Sequence, residues 1–306
     1  MKLFLGVDGG GTKTKCICVD DNLNIISSSE GEASNPLIVG YEKSAQTILN
    51  LIENTCNLKE LSYCVIGVAG CGRKENSEKL NNAIIKESNR RKIKLPEFKI
   101  TSDIEIAHEA VFNGKEGAIL IIGTGSILYL KNKNSDSLIV GGNGRLIGDE
   151  GSGYSIGQKG LRAAIKSFDG RNGKTILTDI LKKEFSINNR DELISNLYNN
   201  KIEIQNFAPF VIKAAELNDK ISLSILEEES NEIILHINAA KNIFPNGFNV
   251  SLVGSLVSTN NFYSKLIKDK IKKHFSDIKI INAKYPPEFG AALIAKNLFN
   301  QNKMKK

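Results

Sequence analysis

The sequence has few of the residues that build cross-linked or metal-rich proteins. Its 306 residues include five cysteines, three histidines and no tryptophan. The cysteines, at positions 16, 18, 56, 64 and 71, are odd in number and form no C-x-x-C motif, so we expect neither a disulfide framework nor a cysteine-rich metal site. The histidines lack the spacing of metal ligands. We therefore expect a protein of the reducing cytoplasm.

Long apolar runs and a strong charge of one sign are also missing. The longest runs, such as residues 118–122, are far shorter than the roughly 18 residues of a membrane helix, and the glycines that begin at Gly9 argue against a cleavable signal. The net charge of +7 is diffuse, and the lysines of residues 265–273 fit a solvated helix face. We expect no nucleic acid and no membrane as a partner.

A strand, a glycine turn and a second strand open the chain. The first strand is apolar, and the second alternates with the period of two that a sheet requires. This pattern occupies residues 3–19 and returns about 115 residues later, over residues 117–130. One recurrence can arise by chance, because glycine-rich hairpin turns are common. A true repeat would predict two similar α/β halves, each opening with a hairpin.

The first turn suits phosphate, because glycines without Cβ atoms let several main-chain N–H groups approach its oxygens. It is not a P-loop, since Thr12 separates Gly11 from Lys13 and the following residues alternate like a strand. It is not a dinucleotide motif either, since Thr14 stands where the third glycine belongs. A different phosphate hairpin remains, with the Thr12 hydroxyl as a further donor.

Asp8 lies at the end of the first strand, beside those glycines. A carboxylate there would repel phosphate unless a cation lay between them, which favours Mg²⁺ held mainly through water. Alternatively, Asp8 bonds to its own turn, as aspartate commonly does. In the second turn, the hydroxyls of Thr124 and Ser126 repeat the arrangement and favour a triphosphate.

Glycine density and helical periodicity organise the remainder of the chain. The glycines of residues 141–153 indicate a main chain that another group approaches closely. Residues 174–243 are predicted to be mainly helical, and a strand is predicted at 249–253. A helix over 291–299 precedes a basic tail.

Three segments together carry a family resemblance. Residues 6–14 and 122–126 resemble the two phosphate motifs of the N-acetylglucosamine kinase group within the BadF/BadG/BcrA/BcrD-type ATPase family. Residues 148–154 resemble its sugar-side signature, and order and spacing agree across nearly the whole chain. The resemblance implies an α/β fold of the actin/hexokinase/Hsp70 type, which is ribonuclease H-like, with duplicated α/β lobes around a nucleotide cleft.

The same resemblance implies a division of the chain. We expect an N-terminal lobe over residues 1–115, with the first phosphate turn and the catalytic carboxylate, completed by a C-terminal helix at 290–303. We expect a C-terminal lobe over residues 116–289, with the second phosphate turn, the adenosine site and a helical insertion.

Individual roles also follow from the resemblance. Asp103 matches the catalytic carboxylate that takes the proton from the sugar hydroxyl. The residues matched to sugar contacts are Asn35, Gly142, Asn143 and Asp149. The residues matched to ATP contacts are Gly10, Gly11, Thr12, Lys13, Gly123, Thr124, Gly125, Ala208, Gly254 and Ser255. Asn143 replaces the bulkier residue common in the family, which leaves the preferred sugar open.

These assignments compete with structural roles. Ser102 and Glu105 form a capping-box pattern, so Asp103 also fits a first-turn acid favoured by the helix dipole, and the two roles are compatible. Asp149 also fits the N-cap of the helix that follows it. Asn35 precedes a proline, which is a common loop pairing.

The sequence thus predicts an ATP- and Mg²⁺-dependent carbohydrate kinase that phosphorylates the 6-hydroxyl of N-acetylglucosamine or a related hexose or hexosamine. The sugar stays open among N-acetylglucosamine, glucosamine, glucose, mannose and N-acetylmuramic acid. Subunit number cannot be read from the sequence, although homodimers are common in similar proteins.

Three other functions fit the sequence less well. An ATPase that activates a radical dehydratase would need cluster-binding cysteines, and residues 72–306 contain none. A sugar-sensing repressor would carry a DNA-reading helix-turn-helix, for which the pattern that begins at residue 3 leaves no room. A catalytically idle scaffold would not need the carboxylates and the phosphate-turn hydroxyls that are present.

Overall fold

The computed structural model describes residues 2–134, 136–199 and 201–304. Its strands are β1 (Leu3–Gly9), β2 (Lys13–Val19), β3 (Ile25–Glu32), β4 (Leu61–Val68), β5 (Phe98–Ser102), β6 (Gly117–Ile122), β7 (Ser126–Lys131), β8 (Ser137–Gly141), β9 (Asn249–Val253) and β10 (Lys279–Ile281). Its α-helices are α1 (Pro36–Val39), α2 (Tyr41–Thr55), α3 (Lys74–Arg91), α4 (Asp103–Phe112), α5 (Gly153–Phe168), α6 (Ile176–Phe185), α7 (Arg190–Tyr198), α8 (Ala208–Glu216), α9 (Lys220–Lys241), α10 (Phe262–His274) and α11 (Pro287–Met304).

The chain divides into two compact units. Unit 1 comprises Met1–Lys115 together with Asn282–Lys306, and unit 2 comprises Glu116–Ile281. Within the described residues, no helix combines the length and the apolar character needed to cross a membrane.

Unit 1 is built on a five-stranded sheet in the order β3-β2-β1-β4-β5. β2 is antiparallel to both β1 and β3, whereas β4 is parallel to β1 and β5 is parallel to β4. One face of the sheet packs against α2 and α3, and the other packs against α4 and α11. Because helices cover both faces, β1 and β4 are buried along almost their whole length.

Two glycines let the last helix lie in close contact with the rest of unit 1. A Cβ atom built on Gly6 in β1 would lie 2.0 Å from the Glu288 carbonyl oxygen. A Cβ atom on Gly290 of α11 would lie 2.0 Å from the Ile106 carbonyl oxygen in α4. No larger residue fits at either position without moving α11, which is longer than the helix predicted at 291–299.

Unit 2 repeats the sheet of unit 1. Its strand order is β8-β7-β6-β9-β10. β7 is antiparallel to both β6 and β8, whereas β9 is parallel to β6 and β10 is parallel to β9. Position by position this is the order of unit 1, which confirms the predicted duplicated α/β fold. The predicted helical stretch at 174–243 contains α6 to α9 and a short 3₁₀ helix at Ile204–Phe207.

Candidate functional site

The first phosphate turn joins β1 to β2 and is tied to the neighbouring loop. The Gly10 N–H donates to the Lys13 carbonyl oxygen at 3.0 Å. The Gly10 carbonyl oxygen accepts from the N–H groups of Ser34 and Asn35, both at 3.1 Å. Gly11 and Thr12 are exposed at the tip of the turn. The turn therefore holds the predicted phosphate residues and the predicted sugar residue Asn35 in one rigid arrangement.

The side chain of Lys13, on β2, reaches the neighbouring strand β3. Its ammonium group lies 3.3 Å from the carboxylate of Glu30 on β3, and both side chains are about half exposed. An exposed pair of this kind is weak, so a bound anion can replace Glu30 as the partner of the ammonium group.

Asn35 is the N-cap of α1. Its Oδ1 atom accepts from the Leu37 N–H at 3.0 Å, and a Cβ atom on Gly70 would lie 2.9 Å from the same oxygen. The side-chain carbonyl is thus engaged by the protein, which leaves the amide NH₂ as the group that can donate to a ligand. The capping role and the predicted sugar role use different atoms of one side chain.

Asp103 is the first residue of α4, directly after β5. Ser102 caps the helix by accepting from the Glu105 N–H at 3.2 Å, whereas the Glu105 side chain bonds to the Thr101 hydroxyl. Only the serine half of the predicted capping box is therefore formed. Burial raises the pKa of Asp103, and the N–H groups of Ile104 and of Asp103 itself oppose that rise. The result is a buried carboxyl group at the N-terminus of a helix.

Asp8 lies close enough to two further carboxyl groups for their charges to affect its pKa. Its pKa is raised to about 7, first by burial and then by the charges of Glu288 and Asp103, while Lys15 lowers it. Glu288, in the first turn of α11, was missed by sequence reasoning because it lies 280 residues after Asp8 in the chain. Its Oε2 atom is buried and has no hydrogen-bond partner among the described residues.

These carboxylates fit a cation that is bound through water. A positive charge near Asp8 would offset the repulsion between the acids and engage the unpartnered oxygen of Glu288. Among the described residues, no group of three His, Cys, Asp or Glu side chains is placed to hold a metal directly. The donor set therefore suits Mg²⁺ that keeps its water and takes its direct ligands from phosphate.

The second phosphate turn lies at the N-terminus of α5. The Gly123 N–H donates to the Gly125 carbonyl oxygen at 2.9 Å, and the Gly123 carbonyl oxygen accepts from the Gly153 N–H at 2.7 Å. The Thr124 carbonyl oxygen accepts from the Tyr154 N–H at 3.1 Å. The turn is thus fixed by the first N–H groups of α5, and the dipole of that helix favours an anion beside the turn.

A cavity of about 340 Å³ opens beside this turn within unit 2. It is lined by Gly123, Thr124, Gly153, Gln205, Asn206, Pro209, Ser255 and Leu256. Gly254 has φ +110°, and a Cβ atom there would lie 2.4 Å from the Ile122 carbonyl oxygen, so glycine is required where the chain passes β6. Ala208 is fully buried at the start of α8, and its neighbour Pro209 lines the cavity.

The predicted sugar residues of unit 2 follow β8. Gly142 has φ +69°, and Asn143 is exposed with its Cβ against Gly148. Asp149 has φ +60°, and its Oδ1 atom accepts from the Ser126 N–H at 3.4 Å. Burial raises the pKa of Asp149, and the N–H groups of Ser126 and Gly144 oppose the rise. The Asp149 carboxylate is therefore turned toward the second phosphate turn.

The alternative role for Asp149 as a helix N-cap is wrong. Ser152 caps α5, because its Oγ atom accepts from the Ser155 N–H at 3.2 Å. The Asp149 carboxylate instead accepts from the Ser126 N–H, after the second phosphate turn.

The predicted residues thus form two groups, one in each unit. Unit 1 brings together the first turn, Asn35, Asp8 and Asp103, and unit 2 brings together the second turn, Asp149 and the cavity beside Ser255. Their roles in binding and catalysis stay predictions.

The family model described as the BadF/BadG/BcrA/BcrD ATPase family matches residues 5–295. An N-acetylmuramic acid/N-acetylglucosamine kinase from Clostridium acetobutylicum is 32% identical, over 97% of this chain and 99% of that relative. An N-acetyl-D-glucosamine kinase from Dictyostelium discoideum is 30% identical, over 97% of this chain and 98% of that relative.

Two solved structures have a similar fold. A candidate N-acetylglucosamine kinase from Chromobacterium violaceum aligns with a TM-score of 0.75 at 22% identity, covering 96% of this chain and 99% of that one. A ROK family glucokinase from Streptomyces griseus, in complex with glucose and AMPPNP, aligns with a TM-score of 0.56 at 15% identity, covering 98% and 99%. From the family match and the full-length similarity to both curated kinases, the chain belongs to the BadF/BadG/BcrA/BcrD ATPase family.

Proposed function

We propose that this family member is an ATP-dependent carbohydrate kinase that transfers the γ-phosphoryl group of ATP to the 6-hydroxyl of N-acetylglucosamine or a closely related hexosamine. The observation that carries the proposal is the buried carboxyl group of Asp103, in the same unit as the first phosphate turn and Asn35. The two curated relatives are named as kinases of N-acetylated amino sugars, which supports the substrate class.

Asp103 would act as the general base. The O6–H proton of the sugar passes to its carboxylate while O6 attacks the γ-phosphorus and the bond to the departing ADP oxygen breaks. Because burial raises the pKa of Asp103, it is a stronger base than an exposed aspartate. Its place at the N-terminus of α4 stabilises the ionised form that must accept the proton.

Polar groups near the turns would orient the sugar and the nucleotide. The free NH₂ group of Asn35 donates to a sugar oxygen, and Asp149 accepts from a sugar hydroxyl. Main-chain N–H groups of both turns, with the Thr12 and Thr124 hydroxyls, bind the phosphates. Mg²⁺ bound with the nucleotide supplies charge neutralisation, and Asp8 and Glu288 are the residues that would hold it through water.

The test of the sugar is a coupled assay of ADP release with MgATP. The panel consists of N-acetylglucosamine, N-acetylmuramic acid, glucosamine, glucose and mannose. We expect the highest kcat/KM for an N-acetylated sugar and 6-phosphate as the product by nuclear magnetic resonance. A protein that phosphorylates none of the five sugars would refute the proposal.

The test of the base is Asp103→Asn. We expect kcat to fall about 10²–10⁴-fold, because the amide cannot accept the proton, while calorimetry finds nucleotide affinity within about twofold of wild type. Glu105→Gln, in the same helical turn, is the matched control and should keep near-normal turnover. Normal turnover in Asp103→Asn would remove Asp103 from the mechanism.

A further inference from the structure

Within the segment 148–153, the main-chain N–H and carbonyl groups of Gly151 form hydrogen bonds with side chains from the interior of unit 2. The Tyr263 hydroxyl donates to the Gly151 carbonyl oxygen at 2.9 Å. The Gly151 N–H donates to Oε2 of Glu229 at 2.5 Å. Tyr263, on α10, is 0% exposed and Glu229, on α9, is 1% exposed. Two buried side chains therefore hydrogen-bond to the main chain of one glycine.

The second carboxylate oxygen of Glu229 is also engaged. Oε1 accepts from the Ser155 hydroxyl at 2.8 Å and lies 2.8 Å from the Lys159 ammonium group. A buried carboxylate is costly unless it is paired and hydrogen-bonded, and Glu229 has both kinds of partner. This network fixes the Glu229 side chain in one position, which in turn fixes the N–H of Gly151.

Packing leaves the segment little freedom to move away. Gly151 has φ +80°, and a Cβ atom there would lie 2.4 Å from the Ile233 side chain of α9. The segment therefore lies directly on the helix that carries Glu229, and a glycine is needed for that approach.

The other side of the segment contacts the second phosphate turn. The Glu150 carbonyl oxygen accepts from the Ser126 hydroxyl, and the Asp149 carboxylate accepts from the Ser126 N–H at 3.4 Å. Only Glu150 separates Asp149 from Gly151 in the chain. The Ser152 N–H closes this turn by donating to the Asp149 carbonyl oxygen at 3.1 Å. Because this connection is short, fixing Gly151 also restricts the position of Asp149.

We infer that Tyr263 and Glu229 are positioning residues, which fix Gly151 and thereby hold the Asp149 carboxylate beside the second phosphate turn, where it binds the sugar. The inference rests on the proposed function, in which Asp149 contacts the sugar. Since both side chains are buried, they act on the sugar through Asp149.

The first test is Tyr263→Phe, which removes one O–H group and leaves the ring in place. We expect the KM for the sugar to rise about tenfold, because the Gly151 carbonyl oxygen loses its buried donor. The kcat and the KM for ATP should stay within about twofold of wild type. Tyr63→Phe, at a tyrosine that is buried in unit 1, is the matched control and should leave all three constants unchanged.

A double-mutant cycle with Asp149→Asn separates positioning from general stability. If Tyr263 acts through Asp149, adding Tyr263→Phe to Asp149→Asn should raise the sugar KM less than about twofold further. A full tenfold rise in that background would overturn the inference. So would a Tyr263→Phe variant with a lowered Tm and an unchanged sugar KM.

Ser155→Ala keeps the inference testable if Tyr263→Phe does not fold. It removes one donor to Glu229 at a half-buried site, and we expect a rise of a few-fold in sugar KM with unchanged KM for ATP. An unchanged sugar KM in Ser155→Ala, with Tyr263→Phe unfolded, would overturn the inference.

Hydrogen exchange distinguishes the inference from the proposed function. Tyr263→Phe, or Ser155→Ala in its place, should speed exchange of the amides in residues 148–153, while those of β9 keep their protection. Wild-type protein that phosphorylates no sugar refutes the proposed function, whatever the exchange shows. Unchanged exchange in residues 148–153 overturns the inference, whatever the sugar assay shows.

Discussion

Unit 1 and unit 2 have the same strand order but differ in chemistry where the matching strands end. In unit 1, Asp8 lies near the end of β1, and Asp103 directly follows β5. Two carboxyl groups with raised pKa values therefore lie at the carboxyl ends of these strands. In unit 2, β6 ends at Ile122 beside an uncharged turn, which Asp149 approaches from the loop after β8. The duplicated backbone thus provides the glycine turn twice, whereas Asp103, the residue that we propose for proton transfer, is found in unit 1.

The largest expected effect concerns the close contact between β1 and α11 within unit 1. Gly6→Ala should destabilise the protein by roughly 3 kcal/mol, because the new Cβ atom would overlap the Glu288 carbonyl oxygen. Chemical unfolding measures the loss, and hydrogen exchange should locate it in unit 1. Gly173→Ala, where nothing lies within 4 Å, is the control. Equal stability of Gly6→Ala and wild type would contradict this account.

The second prediction compares one group from each phosphate turn. Asp8→Asn should lower kcat/KM about 100-fold and raise the Mg²⁺ concentration needed for half-maximal rate, because the residue that we propose to hold Mg²⁺ through water loses its charge. Thr124→Ala removes a neutral hydroxyl and should raise the KM for ATP about tenfold at most. Steady-state kinetics over a Mg²⁺ series measures both. Equal effects of the two variants would erase the chemical difference between the units.

The third prediction concerns pH. Only ionised Asp103 can accept the proton, so kcat at saturating sugar should fall about tenfold for each pH unit below its pKa. Burial raises the pKa of Asp103, so this loss should begin at a higher pH than for an exposed aspartate. The residual activity of Asp103→Asn should lack this acid limb. An acid limb that persists in Asp103→Asn would assign the titration to another group.

The smallest expected effect separates the two roles of Asn35. Asp can still cap α1, but it cannot donate to a sugar oxygen, so Asn35→Asp should raise the sugar KM several-fold at unchanged Tm. Asn35→Ala should lose both the cap and the donor, with a lower Tm as well. An unchanged sugar KM in Asn35→Asp would limit Asn35 to its capping role.

Sequence reasoning predicted the elements whose signals are local. The hairpins at residues 3–19 and 117–130 combine buried strands with glycine turns, and both are present. The edge strands β3 and β8 were not predicted, because one side of each is exposed and their apolar alternation is weak.

Contacts between distant parts of the chain explain what sequence reasoning missed in the site. Asp103 follows a strand and precedes a helix, so its place at the sheet edge could be predicted. Glu288 approaches Asp8, and Tyr263 approaches Gly151, only through tertiary packing across more than 100 residues. No local pattern encodes such pairs. The observed cap of α5 is Ser152, and the sequence alone did not distinguish it from Asp149.

The position of α11 has a consequence for biosynthesis. Residues 2–115 are synthesised before unit 2, yet one face of their sheet is covered by α11, which is synthesised after unit 2. Unit 2, whose residues are contiguous, can fold while that apolar face is still exposed to water and to chaperones. Ribosome stalling or early termination before residue 287 would therefore release a chain with one finished half and one aggregation-prone half.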